Sequence, residues 1–302
     1  LQLTSSGSRF DRRRGRPTGS GLRAVLIRLG HAALCLAVLA SLLAQKSQLR
    51  LALLPDSPGL IGGLAYLALF TVSLLLYFVT SLIDPGYVSN QLHAQSGNGR
   101  LTSPPSDGED DADDGDGRDL PASRRSLELR FCRYCLIEQP LRARHCEDCG
   151  RCVSRFDHHC PWVENCIGER NHATFLAFLL CQSVCIWWTV FYVWRSIHTR
   201  TSALRWLAAN WAYTADMLVL VLAGLPLAFL TMFHCYLACS NTTTWERVSR
   251  ERISYLKHLA ETYNPFHEGY CVNCFRFCCS RFPYRWDIVY SRASMDTELP
   301  DV

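Results

Sequence analysis

A carboxylate, an imidazole and a thiol stand within four consecutive positions, as Asp157, His158 and Cys160 in the run Asp157-His158-His159-Cys160-Pro161-Trp162. These are the parts of an activated nucleophile. A free thiol, with a pKa of about 8.5, is only a few per cent ionised at neutral pH, so it needs a neighbour that takes its proton or stabilises its thiolate. His158 is placed to be that base, and Asp157 to fix its tautomer and stabilise the imidazolium. The alternative role for Cys160 is that of a spare metal ligand.

Metal ligands surround this run. Cys132, Cys135, His145 and Cys152 form one set, and the same residue types recur 14 positions later as Cys146, Cys149, His159 and Cys166. Each set is C-x2-C, then His, then Cys, which suits a closed tetrahedral Zn site of the structural kind. The spacing predicts two Zn ions in interleaved sites that fold as one unit. Eight ligands fill both sites without Cys160. His159, held by the second ion, would anchor the nucleophile beside it.

The elements that must position this domain are apolar. Of the 302 residues 49% are hydrophobic and 19% charged, and the two kinds are segregated into blocks. Four runs are long enough to span a bilayer: 24–44, 60–83, 173–194 and 213–239. The first follows a basic flank, which also describes a signal peptide, but no clear A-x-A site follows it; Arg28 in it can snorkel. The second ends at Asp84-Pro85-Gly86, a helix stop and turn. The fourth contains Pro226, an expected kink, and Asp216 near its outer end. Arg195 to Ala212, with Trp206 and Trp211, reads as an interfacial loop. Only six residues separate Cys166 from the third run, so Cys160 lies close to the membrane surface.

Residues 1–23 are basic and rich in Ser and Gly, and 89–126 carry eight acidic residues between Asp107 and Asp119; both read as disordered. The acidic run lacks EF-hand spacing, which argues against Ca binding. Lys and Arg number six through Arg23, 11 in the 84–172 loop and eight after Cys239, against two and three in the other loops. That bias places both termini and the Zn domain in the cytosol, a reducing compartment that suits metal thiolates. The net charge of +4 is too small to imply a general attraction for nucleic acid. The fold class is therefore an all-α polytopic membrane protein, with a cytosolic cysteine-rich domain (127–172) between helices 2 and 3 and a cytosolic tail (240–302).

At these residues the chain resembles the DHHC-type protein S-acyltransferases, or palmitoyltransferases. Asp157-His158-His159-Cys160 is followed by Pro161-Trp162, Asn165-Cys166, Gly168 and Asn171, and preceded by Pro140, Arg142 and His145-Cys146. Asp84-Pro85-Gly86 matches the family's DPG motif, and Thr243-Thr244-Trp245-Glu246 its TTxE motif. Tyr263-Asn264-Pro265-Phe266, Gly269 and Asn273 match a C-terminal motif that buttresses the site, with Asn273 as polar anchor. Locally, the Thr pair and Glu246 are suited to cap a helix and bond the Zn domain. Gln139 departs from the family's usual basic residue and weakens a CoA-phosphate role there. Segments around the DHHC run and the tail are most similar to one vertebrate member, which implies Golgi and endoplasmic reticulum membranes.

The resemblance implies transfer of a palmitoyl or similar long acyl group from acyl-CoA, through acyl-Cys160, to cysteines of membrane-associated proteins. Arg142, Arg144, Arg151, Arg155 and Arg170 are candidates to meet CoA phosphates. Trp162, Phe175, Phe178 and Cys185 are candidates to line an acyl cavity; in the family, bulk at its deep end limits chain length, so the small Cys185 implies tolerance of 16 carbons or more. Two other classes remain, a zinc-stabilised scaffold without catalysis and a nucleic-acid-binding zinc protein. The complete Asp157, His158 and Cys160 set argues against the first. Four spans and the lack of a basic recognition helix argue against the second. The tail cysteines Cys271, Cys274, Cys278 and Cys279 have no partner His, which favours reversible acylation or apolar packing over a third metal site.

Overall fold

The structure is a computed structural model that describes residues 20–88, 130–279 and 285–297. Of the segments where disorder is expected, 1–23 and 89–126, residues 1–19 and 89–126 lie outside the described residues, while 20–23 form the first turn of α1. Four helices are long and apolar enough to cross a membrane, which supports a multi-pass membrane protein: α1 (Ser20–Ala44), α3 (Leu60–Leu82), α4 (His172–Ser196) and α5 (Ala203–Ser240). A short helix α2 (Gln48–Ala52), capped by Ser47, lies in the connection before α3.

Helix α4 is the most enclosed of the four and packs on both α3 and α5. Polar pairs stitch it in: Ser73 Oγ donates to Gln182 Oε1 at 2.7 Å, Tyr66 and Thr189 share a hydrogen bond of 2.9 Å, and Ser183 and Thr231 one of 2.8 Å. Lipid offers no partner to such groups, so they pair between helices. Gly224 lets α5 approach α4 closely, since a Cβ there would lie 2.9 Å from Ile186 Cγ2.

Two expectations are corrected. The segment Arg195 to Ala212 is not a loop: α4 runs to Ser196 and α5 starts at Ala203. Its Ala- and Leu-rich sequence favours helix, and Asn210 closes the short turn by bonding both the N–H and the C=O of His198. The fold is also not all-α. The cysteine-rich domain is three antiparallel hairpins, β1 (Phe131–Cys132) with β2 (Ile137–Glu138), β3 (Arg144–Cys146) with β4 (Arg151–Val153), and β5 (His158–Cys160) with β6 (Asn165–Ile167). Strands of two or three residues are too short to show alternation in the sequence.

The Asp84-Pro85-Gly86 turn is woven into this domain. Asp84 Oδ1 accepts from the N–H groups of Gly86 and Tyr87, Ser154 N–H donates to Gly86 C=O, and Arg170 N–H to Pro85 C=O. Asn165 Nδ2 donates to Thr80 and Ile83 carbonyls at the end of α3. After α5 come α6 (Thr244–Val248), a 3₁₀ turn (Arg250–Arg252), α7 (Tyr270–Cys279) and α8 (Trp286–Thr297).

Candidate active site and metal centres

The hairpin registers pair ligand with ligand. His145 faces Cys152 across β3 and β4, and His159 faces Cys166 across β5 and β6. The C-x2-C turns complete each group, so the structure brings together Cys132, Cys135, His145 and Cys152, and separately Cys146, Cys149, His159 and Cys166, with ligand atoms within 4.8 Å of one another. In the second group His159 Nδ1 lies 3.5 to 3.7 Å from the three sulfurs. In the first, His145 Nδ1 lies 3.2 Å from Cys135 Sγ and 3.9 Å from Cys152 Sγ. Tetrahedral Zn bonded to three thiolates and one imidazole needs N···S edges of about 3.5 Å. Each donor set therefore fits a metal ion of that kind. Gln139, buried, donates from Nε2 to Cys152 Sγ at 3.3 Å, so this departure from the family pattern serves the ligand shell of the first cluster.

The nucleophile candidate stands at the end of β5. Asp157 Oδ2 accepts from His158 Nδ1 at 2.6 Å, which leaves Nε2 of the ring for the Cys160 thiol. Cys160 is buried against Tyr77, Val163, Ile167, Phe175, Phe178 and Leu179. Burial pushes its thiol up, but the hydrogen bond and charge of His158, with the backbone N–H groups of Val163 and Trp162, bring it below the ordinary value. For His158, burial is outweighed by the hydrogen bonds of Asp157 and Cys160, and the ring is pushed up to about 9. Burial opposes ionisation of Asp157, yet His172 and His158 hold its carboxyl well below the usual range. The electrostatics thus ease proton transfer from the Cys160 thiol to the His158 ring, which the Asp157 carboxylate backs.

Distant residues hold Asp157. Thr244 donates its backbone N–H to Oδ1 and its hydroxyl to Oδ2, both at 2.8 Å. Thr243 and Glu246 form a capping box that starts α6 at this point. Glu246 takes two 2.7 Å bonds from Arg142, whose other donors reach Asn241. Phe266 and Trp286 cover the Arg142 guanidinium at 4.1 and 4.4 Å. On the membrane side, His172 Nε2 lies 3.8 Å from Asp157 Oδ1 and 3.1 Å from His234 Nδ1, and the His234 and His158 rings are 5.8 Å apart. Asp157, His158 and His234 also satisfy the distances of a metal group, but the direct Asp157–His158 bond makes acid–base work the simpler account.

The binding candidates fare unequally. Phe175 and Phe178 are buried in the cluster around Cys160, and the Phe175 ring meets His158 edge-on at 5.7 Å. Cys185 lies in a separate buried cluster with Tyr66, Leu42 and Leu49, ten residues or about 15 Å of helix beyond Phe175. Trp162 is 78% exposed, so its ring stands outside the Cys160 cluster; only its carbonyl, which accepts from Tyr77, belongs to it. Arg142 does not fit a phosphate contact, because it is buried and committed to Glu246 and Asn241. Arg155 is likewise buried. Arg144 stacks on Trp245, Arg151 on Tyr87, and Arg170 pairs with Asp84 at the surface.

The family model for DHHC palmitoyltransferases matches residues 125–251. The chain is 37% identical to human Palmitoyltransferase ZDHHC12 over 278 residues, 92% of this chain and 96% of that one. It is 38% identical to mouse Palmitoyltransferase ZDHHC12 over 87% of this chain and 90% of that one. Protein S-acyltransferase 10 of Arabidopsis thaliana is 30% identical over 72% of this chain and 71% of its own. The chain belongs to the DHHC palmitoyltransferase family. In this member, sequence reasoning missed His172 and His234; it placed Thr244 as a residue suited to bond the Zn domain, and Asp157 is the partner it bonds. His234 carried a signal, since an ionisable side chain inside an apolar span is a site candidate in its own right. His172 adjoins Asn171 and opens α4, with nothing in its spacing to single it out.

Proposed function

We propose that this protein is a protein S-acyltransferase that moves a long-chain acyl group, palmitoyl above all, from acyl-CoA to cytosolic cysteines of membrane-associated proteins. The observation that carries this reading is the Asp157–His158 bond beside a buried Cys160, set in an apolar cluster built from α3 and α4. Cys160 passes its proton to His158, and its sulfur attacks the thioester carbon. The bond from that carbon to the CoA sulfur breaks, and the imidazolium returns the proton to the departing thiolate. In the second half, an acceptor thiol gives its proton to His158 and attacks the acyl-Cys160 carbon, and Cys160 leaves. Asp157, gripped by Thr244, keeps the ring in the productive tautomer throughout. Phe175 and Phe178 offer the acyl chain an apolar start along α4, towards Cys185.

Both metal clusters are assigned to structural Zn2+, because three sulfurs and one imidazole close each shell and leave no position for substrate. The ions fix the β5–β6 hairpin that presents Cys160 and take no part in acyl transfer. The basic-residue bias supports a cytosolic site and cytosolic termini; Golgi and endoplasmic reticulum membranes are proposed from the resemblance read in the sequence alone. No nucleic-acid partner is proposed.

The test is acyl-enzyme formation by purified protein with alkyne-labelled palmitoyl-CoA, in wild type, Cys160→Ser and His158→Ala. Hydroxylamine-labile label at Cys160, lost in both variants while metal content is retained, is expected. Equal labelling of wild type and Cys160→Ser would defeat the proposal and favour a scaffold.

A further inference from the structure

Helix α1 is the least enclosed of the four spans, yet its apolar run carries two ionisable side chains, Arg28 and His31. Such groups are expensive in a membrane helix and mark a site or a partner. They stand three positions apart, on one face, and both lead to the turn between β5 and β6. Arg28 Nε donates to Ser81 Oγ at 2.5 Å, and its Nη2 to the Ser81 carbonyl at 3.1 Å. The Ser81 hydroxyl hands the bond on, donating to Val163 C=O at 2.6 Å. Arg28 Nη2 also lies 3.5 Å from the next carbonyl, that of Glu164. His31 stacks on Tyr77 at 3.9 Å, and the Tyr77 hydroxyl donates to Trp162 C=O at 3.1 Å. Three successive carbonyls of one turn are thus held by side chains of α1 and α3. Arg28, expected to snorkel, is committed to protein groups instead.

The same turn faces the nucleophile with its donors, since the N–H groups of Trp162 and Val163 are directed at the Cys160 sulfur. Glu164, which follows them, has a left-handed backbone (φ 49°), a conformation that a non-glycine residue keeps only when its surroundings hold it. Arg23 adds to that hold, with its Nε 3.0 Å from the Glu164 carboxylate. When the sulfur attacks a thioester, the carbonyl oxygen gains charge beside it, and donors fixed there in advance stabilise that charge most.

We propose that Arg28 is a positioning residue for acyl transfer, which clamps the 162–164 turn through Ser81 and so keeps its N–H groups aimed at the reacting centre. The proposal rests on the acyl-Cys160 reading above. Arg28 acts on the reaction only through Ser81 and the turn.

The test is single-turnover acylation of purified protein by alkyne-labelled palmitoyl-CoA, followed across donor concentrations with metal content monitored. Arg28→Met is expected to lower the saturating rate roughly 10- to 100-fold, the scale of a misplaced donor, and to leave the half-saturating concentration unchanged. Arg28→Lys, which keeps a donor for Ser81 Oγ, recovers part of the rate. Ser81→Ala added to Arg28→Met brings little further loss, because the two residues act on one carbonyl. A saturating rate equal to that of wild type overturns the inference. So does a loss confined to the half-saturating concentration, which would make Arg28 a donor-binding residue. Leu29 is exposed, so Leu29→Arg in the Arg28→Met background returns the charge at the same depth on another face; recovery of the rate there would make Arg28 a plain interfacial anchor and sink the clamp. If Arg28→Met protein loses metal, Ser81→Ala alone decides: a lowered saturating rate upholds the relay, and a wild-type rate overturns it. Wild type that takes no label at Cys160 defeats the acyl-enzyme reading instead.

Discussion

Asp157 is nearly sealed from solvent, yet both of its oxygens are occupied: His158 and the Thr244 hydroxyl bind Oδ2, and the Thr244 N–H binds Oδ1. A carboxylate so bound has one orientation, and His158 inherits it. Replacing Asp157 with Asn removes the charge that stabilises the imidazolium, and the acyl-enzyme rate is expected to fall by about 10²- to 10⁴-fold. Thr244→Val keeps the backbone bond and loses only the hydroxyl. One charge-assisted hydrogen bond of about 1.5 kcal/mol corresponds to roughly tenfold in rate. Single-turnover labelling with metal content monitored checks both, and a Thr244→Val enzyme as fast as wild type would show that the backbone bond alone suffices. Asp157, His158 and Cys160 were legible because they adjoin in sequence. Thr244 was legible through its motif as a bond to the Zn domain, though not to Asp157 in particular, and His234 was not legible, since they lie 87 and 77 positions from Asp157 and reach it only through the packing of α5 and the turn after it.

The elements meet at two points where single changes have calculable effects. Arg142 and Glu246 are a buried pair joining the cysteine-rich domain to α6. Glu246→Ala strands the guanidinium and breaks the capping box, at a cost of about 3–5 kcal/mol. A double variant, Arg142→Met with Glu246→Met, removes both charges and is expected to melt above Glu246→Ala in detergent. A double variant no more stable than the single one would mean that the guanidinium's contacts with Asn241, Phe266 and Trp286 carry the site without Glu246. Gly168 is the second point. A Cβ there would lie 2.5 Å from Val153 Cγ1 and 2.7 Å from the Pro85 carbonyl, where the domain seats on the Asp84-Pro85-Gly86 turn. Gly168→Ala is expected to cost about 1–3 kcal/mol by overpacking and to lower acylation without touching the triad; an unchanged melting temperature would show that the seat yields freely. Sequence motifs marked both places, but only the fold explains them. The same Arg142 that read as a phosphate contact proves to be the internal partner of Glu246, because the chain turns it inward at a left-handed residue (φ 67°).

At the scale of the whole molecule, two kinds of cohesion divide the labour. The four long helices satisfy their own backbone and pair several polar groups with one another, and the few that reach the cysteine-rich domain, such as Tyr77 and Ser81, are side chains whose loss leaves the helical backbone bonds intact. That domain has three hairpins of two or three residues per strand, and an isolated two-stranded hairpin is marginal in water at best. Its buried apolar clusters are small, so metal binding at the two ligand groups is expected to supply much of its folding free energy. Removing metal with a strong chelator is therefore expected to abolish acyl-enzyme formation while leaving far-UV helicity almost unchanged. Cys160 would then gain reactivity towards maleimide as β5 and β6 come apart. Re-addition of Zn2+ should restore labelling at Cys160 and its protection together. Chelation that leaves acylation intact would mean that the turn at Asp84, the grip of Thr244 and the Arg142–Glu246 pair hold the nucleophile unaided. A parallel loss of helicity would instead make the domain a keystone of the membrane bundle.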